Sequence, residues 1–127
     1  MTTTAKKVKS EWEEQCSFIN WCHSHPTEPR LKLIYSHLNG MRASIGAAVK
    51  EKKAGATKGL PDLFLPVPTK DFHGLYIEMK KSDGGVVSDA QKLWIGLLCQ
   101  QGYAVAVCKG KDAAVSITEH YLGIPKY

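Results

Sequence analysis

The chain has 127 residues, 43% of them hydrophobic and 23% charged, enough for one buried core and too few for two. Seventeen Lys and Arg against twelve Asp and Glu leave a formal charge of +5 and a pI near 9.0, which favours an anionic partner such as nucleic acid. Four cysteines with no CxxC pair speak against a disulfide scaffold, and no apolar run reaches the length of a signal peptide or membrane span, so a cytoplasmic protein with reduced thiols is expected.

Residues 1–9 are polar and basic and read as a flexible tail, leaving a single domain over 10–127. Ser10 with Glu13 makes a capping box, and Trp12, Cys16, Ile19 and Cys22 recur at helical spacing up to His23, predicting a helix with that stripe turned inward. Two prolines in "HPTEP" stop it, and the alternating "LKLIYSHL" predicts a first strand ending at the turn signal "NG". The Ala- and Lys-rich stretch 41–55 predicts a short helix terminated at Gly55. "DLFLPVP", after the turn Gly59-Leu60-Pro61, and "HGLYIEMKK" predict two strands paired as a hairpin. Ser88 caps the next helix, whose Leu93, Trp94, Leu97 and Leu98 form an apolar stripe ended by Gly102. "YAVAVCKG" reads as a strand buried on both faces, and "KDAAVSITEHYLG" as a closing helix.

The stretch "GLYIEMKK" carries the chemistry. Side chains alternate along a strand, so Leu75, Ile77 and Met79 point one way while Tyr76, Glu78 and Lys80 point the other. Asp62 opens the neighbouring strand, and the hairpin brings two carboxylates and one amine together. Paired carboxylates are hard oxygen ligands suited to Mg²⁺ or Mn²⁺. The same residues also allow a plainer arrangement, in which Asp62 caps a turn and Glu78 pairs with Lys80 on a solvated sheet face. The flanking glycines and the covering helix favour an enclosed place, where idle charges would be costly.

"GLPDLFLP", then "EMK" starting sixteen residues after Asp62, then "SDAQKLWIGLLCQQGYAVAV" resemble the PD-(D/E)xK nuclease superfamily and, within it, the VRR-NUC family in its stand-alone phage and bacterial form. The similarity runs from Ser10 to Leu122. It implies an α/β fold with a restriction-endonuclease-like α-β-β-β-α-β core, a mixed central sheet flanked by helices. It also implies an Mg²⁺- or Mn²⁺-dependent endodeoxyribonuclease with no organic cofactor. Matched residue by residue, Asp62 and Glu78 are the metal-binding acids, the Met79 carbonyl is a further ligand and Lys80 is the catalytic lysine. The family's helix-one glutamate, four residues before a glutamine, falls on Glu11 ahead of Gln15, with Glu14 as the alternative. Gln91 matches a glutamine facing the site. The stand-alone members resemble Holliday junction resolvases in size and layout, which implies branched DNA, above all four-way junctions, as substrate. Paired cuts in a two-fold symmetric substrate call for a homodimer.

Arg42, Lys50, Lys52, Lys53 and Lys58 precede Asp62, and Lys81 follows the active strand. Such a run is commonly a solvated face, but beside a phosphodiester site it becomes a track for a DNA backbone, recognising shape rather than bases. "CHSH" with Cys16 fits no zinc spacing, so Cys16 and Cys22 read as a reduced core pair beside exposed histidines. His73 reads as a loop residue. Besides the junction-cutting enzyme, the sequence admits a non-catalytic DNA-binding module of the same fold and a nuclease acting on flaps or other branched DNA.

Overall fold

The computed structural model describes residues 8–37, 50, 55 and 57–125. Among them the elements run α1 (Glu11–Ser24), a 3-10 turn (Pro29–Leu33), β1 (Tyr35–Ser36), β2 (Leu63–Leu65), β3 (Leu75–Lys80), α2 (Asp89–Gln100), β4 (Ala104–Lys109) and α3 (Lys111–Leu122). The sheet order is β1-β2-β3-β4, with β1, β2 and β3 antiparallel to their neighbours in turn and β4 parallel to β3. The expected mixed sheet and hairpin are both present. Parallel pairing of β3 with β4 requires a crossover, and α2 supplies it.

One face of the sheet builds the core. Leu63, Leu65, Leu75, Ile77 and Met79 are buried there together with Phe18 and Cys22 of α1 and Ala114 and Leu122 of α3. Both capping boxes form: the Ser10 hydroxyl accepts from the Glu13 N–H and the Ser88 hydroxyl from the Gln91 N–H, with the N3 side chain reaching back in each case.

Four sequence expectations need correction. The buried stripe of α1 is Glu14, Phe18 and Cys22, whereas Trp12 and Cys16 are exposed. The apolar residues of α1 exceed what one face can bury, and Phe18, the bulkiest of the central ones, takes the inward position. "LKLIYSHL" forms no long strand. Pro29 starts a 3-10 turn in which Leu31 and Ile34, three residues apart, are buried and Leu33 is exposed, leaving only Tyr35–Ser36 extended. Of the α2 stripe, Leu98 is buried while Leu93 and Leu97 are exposed. Finally, β4 is a sheet edge rather than a strand buried on both faces; only Cys108 is buried and Val107 is 39% exposed. The predicted helix at 41–55 lies outside the described residues except for Lys50, which is helical, and Gly55, in a turn.

Candidate active site

The hairpin register generates the central pair. Leu65 faces Leu75, Phe64 faces Tyr76 and Leu63 faces Ile77, so one further step along the ladder sets Asp62 against Glu78. Directly opposed residues of an antiparallel pair share a face, and this is the face opposite the core. Asp62 is tied down by a second bond: its Oδ2 accepts the Met79 N–H at 2.9 Å. The Lys80 carbonyl accepts from the Gly110 N–H at the β4 side. Carbonyls alternate in direction along a strand, so that of Met79 projects from the Asp62 side, toward the acids.

Glu11, Asp62 and Glu78 each offer a carboxylate oxygen, and these oxygens lie within 4.8 Å of one another. It is the one group of three or more possible metal ligands among the described residues. The sheet face is not solvated here: Glu78 is 2% and Lys80 7% exposed. Lys80 Nζ stands 3.4 Å from Glu78 Oε2 and donates to Gln91 Oε1 at 3.1 Å. Gln91 Nε2 in turn donates to Glu78 Oε2 at 2.8 Å. Gln91 owes this position to the capping box, since its Oε1 also accepts the Ser88 N–H at 2.9 Å. Gly59 permits the approach of the Asp62 loop to this helix start. Its φ is +91°, and a Cβ there would sit 2.7 Å from the Ala90 carbonyl carbon.

Burial and crowding raise the proton affinity of Glu78 and Glu11. Burial, then the adjacent Asp62 carboxylate, push Glu78 up to about 8 against the opposing pull of Lys80. Glu11 is also raised, first by burial and then by Asp62, with Lys80 and Lys81 opposing. Glu78 Oε1 is buried with no hydrogen-bond partner. Three converging carboxylates with one orphaned buried oxygen fit a hard divalent ion, which would satisfy that oxygen and offset the repulsion.

Glu14 is placed elsewhere. It is buried under the start of α3, where Oε1 accepts the Lys111 N–H at 3.3 Å. Gly110, the N-cap of α3, offers no side chain, and a Cβ on it would come within 2.8 Å of Glu14 Oε2. Glu14 therefore acts as a helix cap borrowed from α1. A pair of variants separates the two acids. Glu11→Gln is expected to keep its melting temperature and lose cleavage, whereas Glu14→Gln loses about 0.5–2 kcal/mol of stability and keeps cleavage at temperatures where it is folded. Thermal melts and cleavage rates on the same preparations check this.

Of the basic residues, Lys50, Lys58 and Lys81 are exposed, and Arg42, Lys52 and Lys53 lie outside the described residues. Cys16 is exposed rather than paired with buried Cys22, and neither belongs to a metal-ligand group. His73 is exposed in its loop, its ring 5.6 Å from that of Tyr103. The sequence reading passed over His37. Its N–H bonds to the Asp62 carbonyl at 2.8 Å, and it lines a cleft of about 730 Å³ with Glu11, Trp12, Gln15 and Asp62. No sequence motif marked it, because "LKLIYSHL" pointed to a regular strand.

The VRR-NUC domain signature matches residues 2–112. The chain belongs to the VRR-NUC family. A solved structure described as a VRR_NUC domain protein superposes with a TM-score of 0.79 at 30% identity, covering 94% of this chain and 93% of that one. The Fanconi-associated nuclease 1 homolog of Schizosaccharomyces pombe is 33% identical over 93 residues, which is 73% of this chain and 13% of that protein. This VRR-NUC chain thus spans about an eighth of the length of that relative. The fold is the family's nuclease fold, and no described helix is long and apolar enough to cross a membrane.

Proposed function

We propose that this VRR-NUC domain is a metal-dependent, structure-specific DNA endonuclease, cutting branched DNA and above all four-way junctions as a homodimer. The observation that carries the reading is the meeting of three carboxylates within 4.8 Å beside a buried Lys80.

Glu11, Asp62 and Glu78, with the Met79 carbonyl, would hold Mg²⁺ or Mn²⁺. Once held there, the ion would acidify a water and neutralise charge building on the phosphate oxygens. By holding the ion, Asp62 and Glu78 would set where the scissile phosphate sits relative to the sheet. Lys80 has one ammonium hydrogen turned to Gln91 Oε1 and its charge beside Glu78. Its remaining donors are available to a phosphate oxygen or to the attacking water, orienting one and stabilising the anion that forms on the other. Gln91 is a positioning residue: it grips Lys80 through its oxygen and Glu78 through its nitrogen. The exposed Lys50, Lys58 and Lys81 would follow the backbone of a DNA arm, with affinity falling as salt rises.

Exposed Leu93 and Leu97, one turn apart on α2, are the surface assigned to the dimer contact. The reading is tested by cleavage of labelled duplex, splayed arm, flap and four-way junction in Mg²⁺, Mn²⁺ or chelator, with light scattering on the same sample. The expected result is metal-dependent cutting of the junction well above duplex by a species of twice the chain mass. Equal cutting of all four substrates removes the junction preference, and a single-chain mass at every concentration removes the dimer.

A further inference from the structure

Helix α1 has a side turned away from its buried stripe, on which Ile19 is partly packed against the core. Its buried residues are Glu14, Phe18 and Cys22, yet Trp12 is left 62% exposed. Trp12, Cys16, Ile19 and His23 climb that other side at helical spacing and form one wall of the 730 Å³ cleft, with Ser36 and His37 opposite. Clefts of this size accept a small organic group. The cleft starts at Glu11 and Asp62, so whatever occupies it adjoins the atoms at the acid cluster.

Its chemistry selects the occupant. Among the described residues no Lys or Arg lines it, and the carboxylates there are those of Glu11 and Asp62. A phosphate backbone would find no counter-charge among these residues. The described lining offers instead the exposed Trp12 indole, the side-chain amides of Gln15 and Asn20, and the His37 side chain. A flat neutral ring with polar edges suits that lining: it stacks on the indole and engages the amides.

We propose that the cleft seats one unpaired nucleobase of the strand being cut, stacked on Trp12 beside the scissile phosphodiester. This rests on the nuclease reading and narrows it: the substrate must present an unstacked nucleotide at the cut. Stacking is tolerant of base identity, so the seat selects an opened strand rather than a sequence.

The test is a binding cycle on splayed-arm DNAs, each carrying one abasic nucleotide at a successive position through the branch. Affinity is read by fluorescence anisotropy in Ca²⁺, a hard ion for the same oxygen donors, with wild type, Trp12→Ala and Trp12→Phe. At one position, loss of the base is expected to weaken wild-type binding by about tenfold or more, with no further loss at that position in Trp12→Ala. Trp12→Phe should keep most of the affinity for intact DNA. Trp12→Ala binding every DNA as wild type does, or the two losses multiplying at every position, would overturn the seat. Cleavage of the intact DNA in Mg²⁺ by wild type and Asp62→Asn is followed in parallel. Metal-dependent cutting without coupling sinks the base seat alone; coupling without cutting keeps the seat and sinks the nuclease reading. Trp12 is exposed, so its variants are expected to fold.

Discussion

Asp62→Asn is expected to lower metal-dependent cleavage by about 10³-fold or more, because it removes one of three charges that would hold the ion, and such an ion contributes several kcal/mol to the transition state. The fold should survive. Asp62 meets the backbone through an oxygen that accepts the Met79 N–H, and the Asn carbonyl oxygen accepts the same bond. Lys80→Ala is expected to cost about 10²–10⁴-fold, again without preventing folding, as it leaves Gln91 its bonds to Ser88 and Glu78. Single-turnover cleavage of a labelled junction, with circular dichroism to confirm folding, decides the matter. Either variant cutting at the wild-type rate would remove the active-site assignment.

The second large effect concerns stability. Glu78 is pushed from its ordinary 4.5 up to about 8 by burial and by Asp62. An acid raised in the folded state keeps its proton where the unfolded chain has lost it. The folded protein then binds more protons than the unfolded one between about 4.5 and about 8, and stability falls across that window as pH rises. Below it the contribution is fully present; above it the contribution is gone. The metal-free protein should therefore melt lower, by several degrees or more, at the alkaline end than at the acid end. Glu78→Gln should flatten this dependence and melt above wild type at pH 8 without metal. Adding Mn²⁺ at that pH should raise the wild-type melting temperature and leave Glu78→Gln almost unmoved, since an ion that binds only the folded state stabilises it. A flat wild-type profile would mean that Glu78 is already ionised at neutral pH. Calorimetry in two buffers of different ionisation enthalpy gives a second readout, because cation binding to a protonated Glu78 releases a proton.

Such a site is unstable by construction. Buried Glu78 and Lys80 stand beside half-buried Asp62 and exposed Glu11, and a cation held there would relieve the repulsion that Lys80 offsets only in part. The domain tolerates this because the strain is confined to one sheet face, while the opposite face packs Leu63, Leu75, Ile77 and Met79 against α1 and α3.

Much of this was legible in the chain itself, and the reason is local. The hairpin follows from two short apolar runs around a turn. Period-two alternation then puts Glu78 and Lys80 on one face, and both capping boxes are written in four consecutive residues each. Asp62, Glu78, Lys80 and Gln91 lie on or next to these elements, so their convergence could be anticipated. What lay beyond sequence reasoning depended on competition between faces. Trp12, Cys16, Ile19 and Cys22 fit a helical stripe as well as Phe18 and Cys22 do, and only the packing of α1 on β3 and α3 decided that Phe18 goes in and Trp12 stays out. Glu11 was favoured over Glu14 only by its spacing to Gln15, and it is α3, arriving with an uncapped N-terminus, that takes Glu14 for another task. β4 looked like a central strand because its composition is apolar, yet its place at the sheet edge is set by the order in which strands pair. Periodicity tells a residue which neighbours share its side, whereas the tertiary contacts alone determine which side meets another element and which meets water.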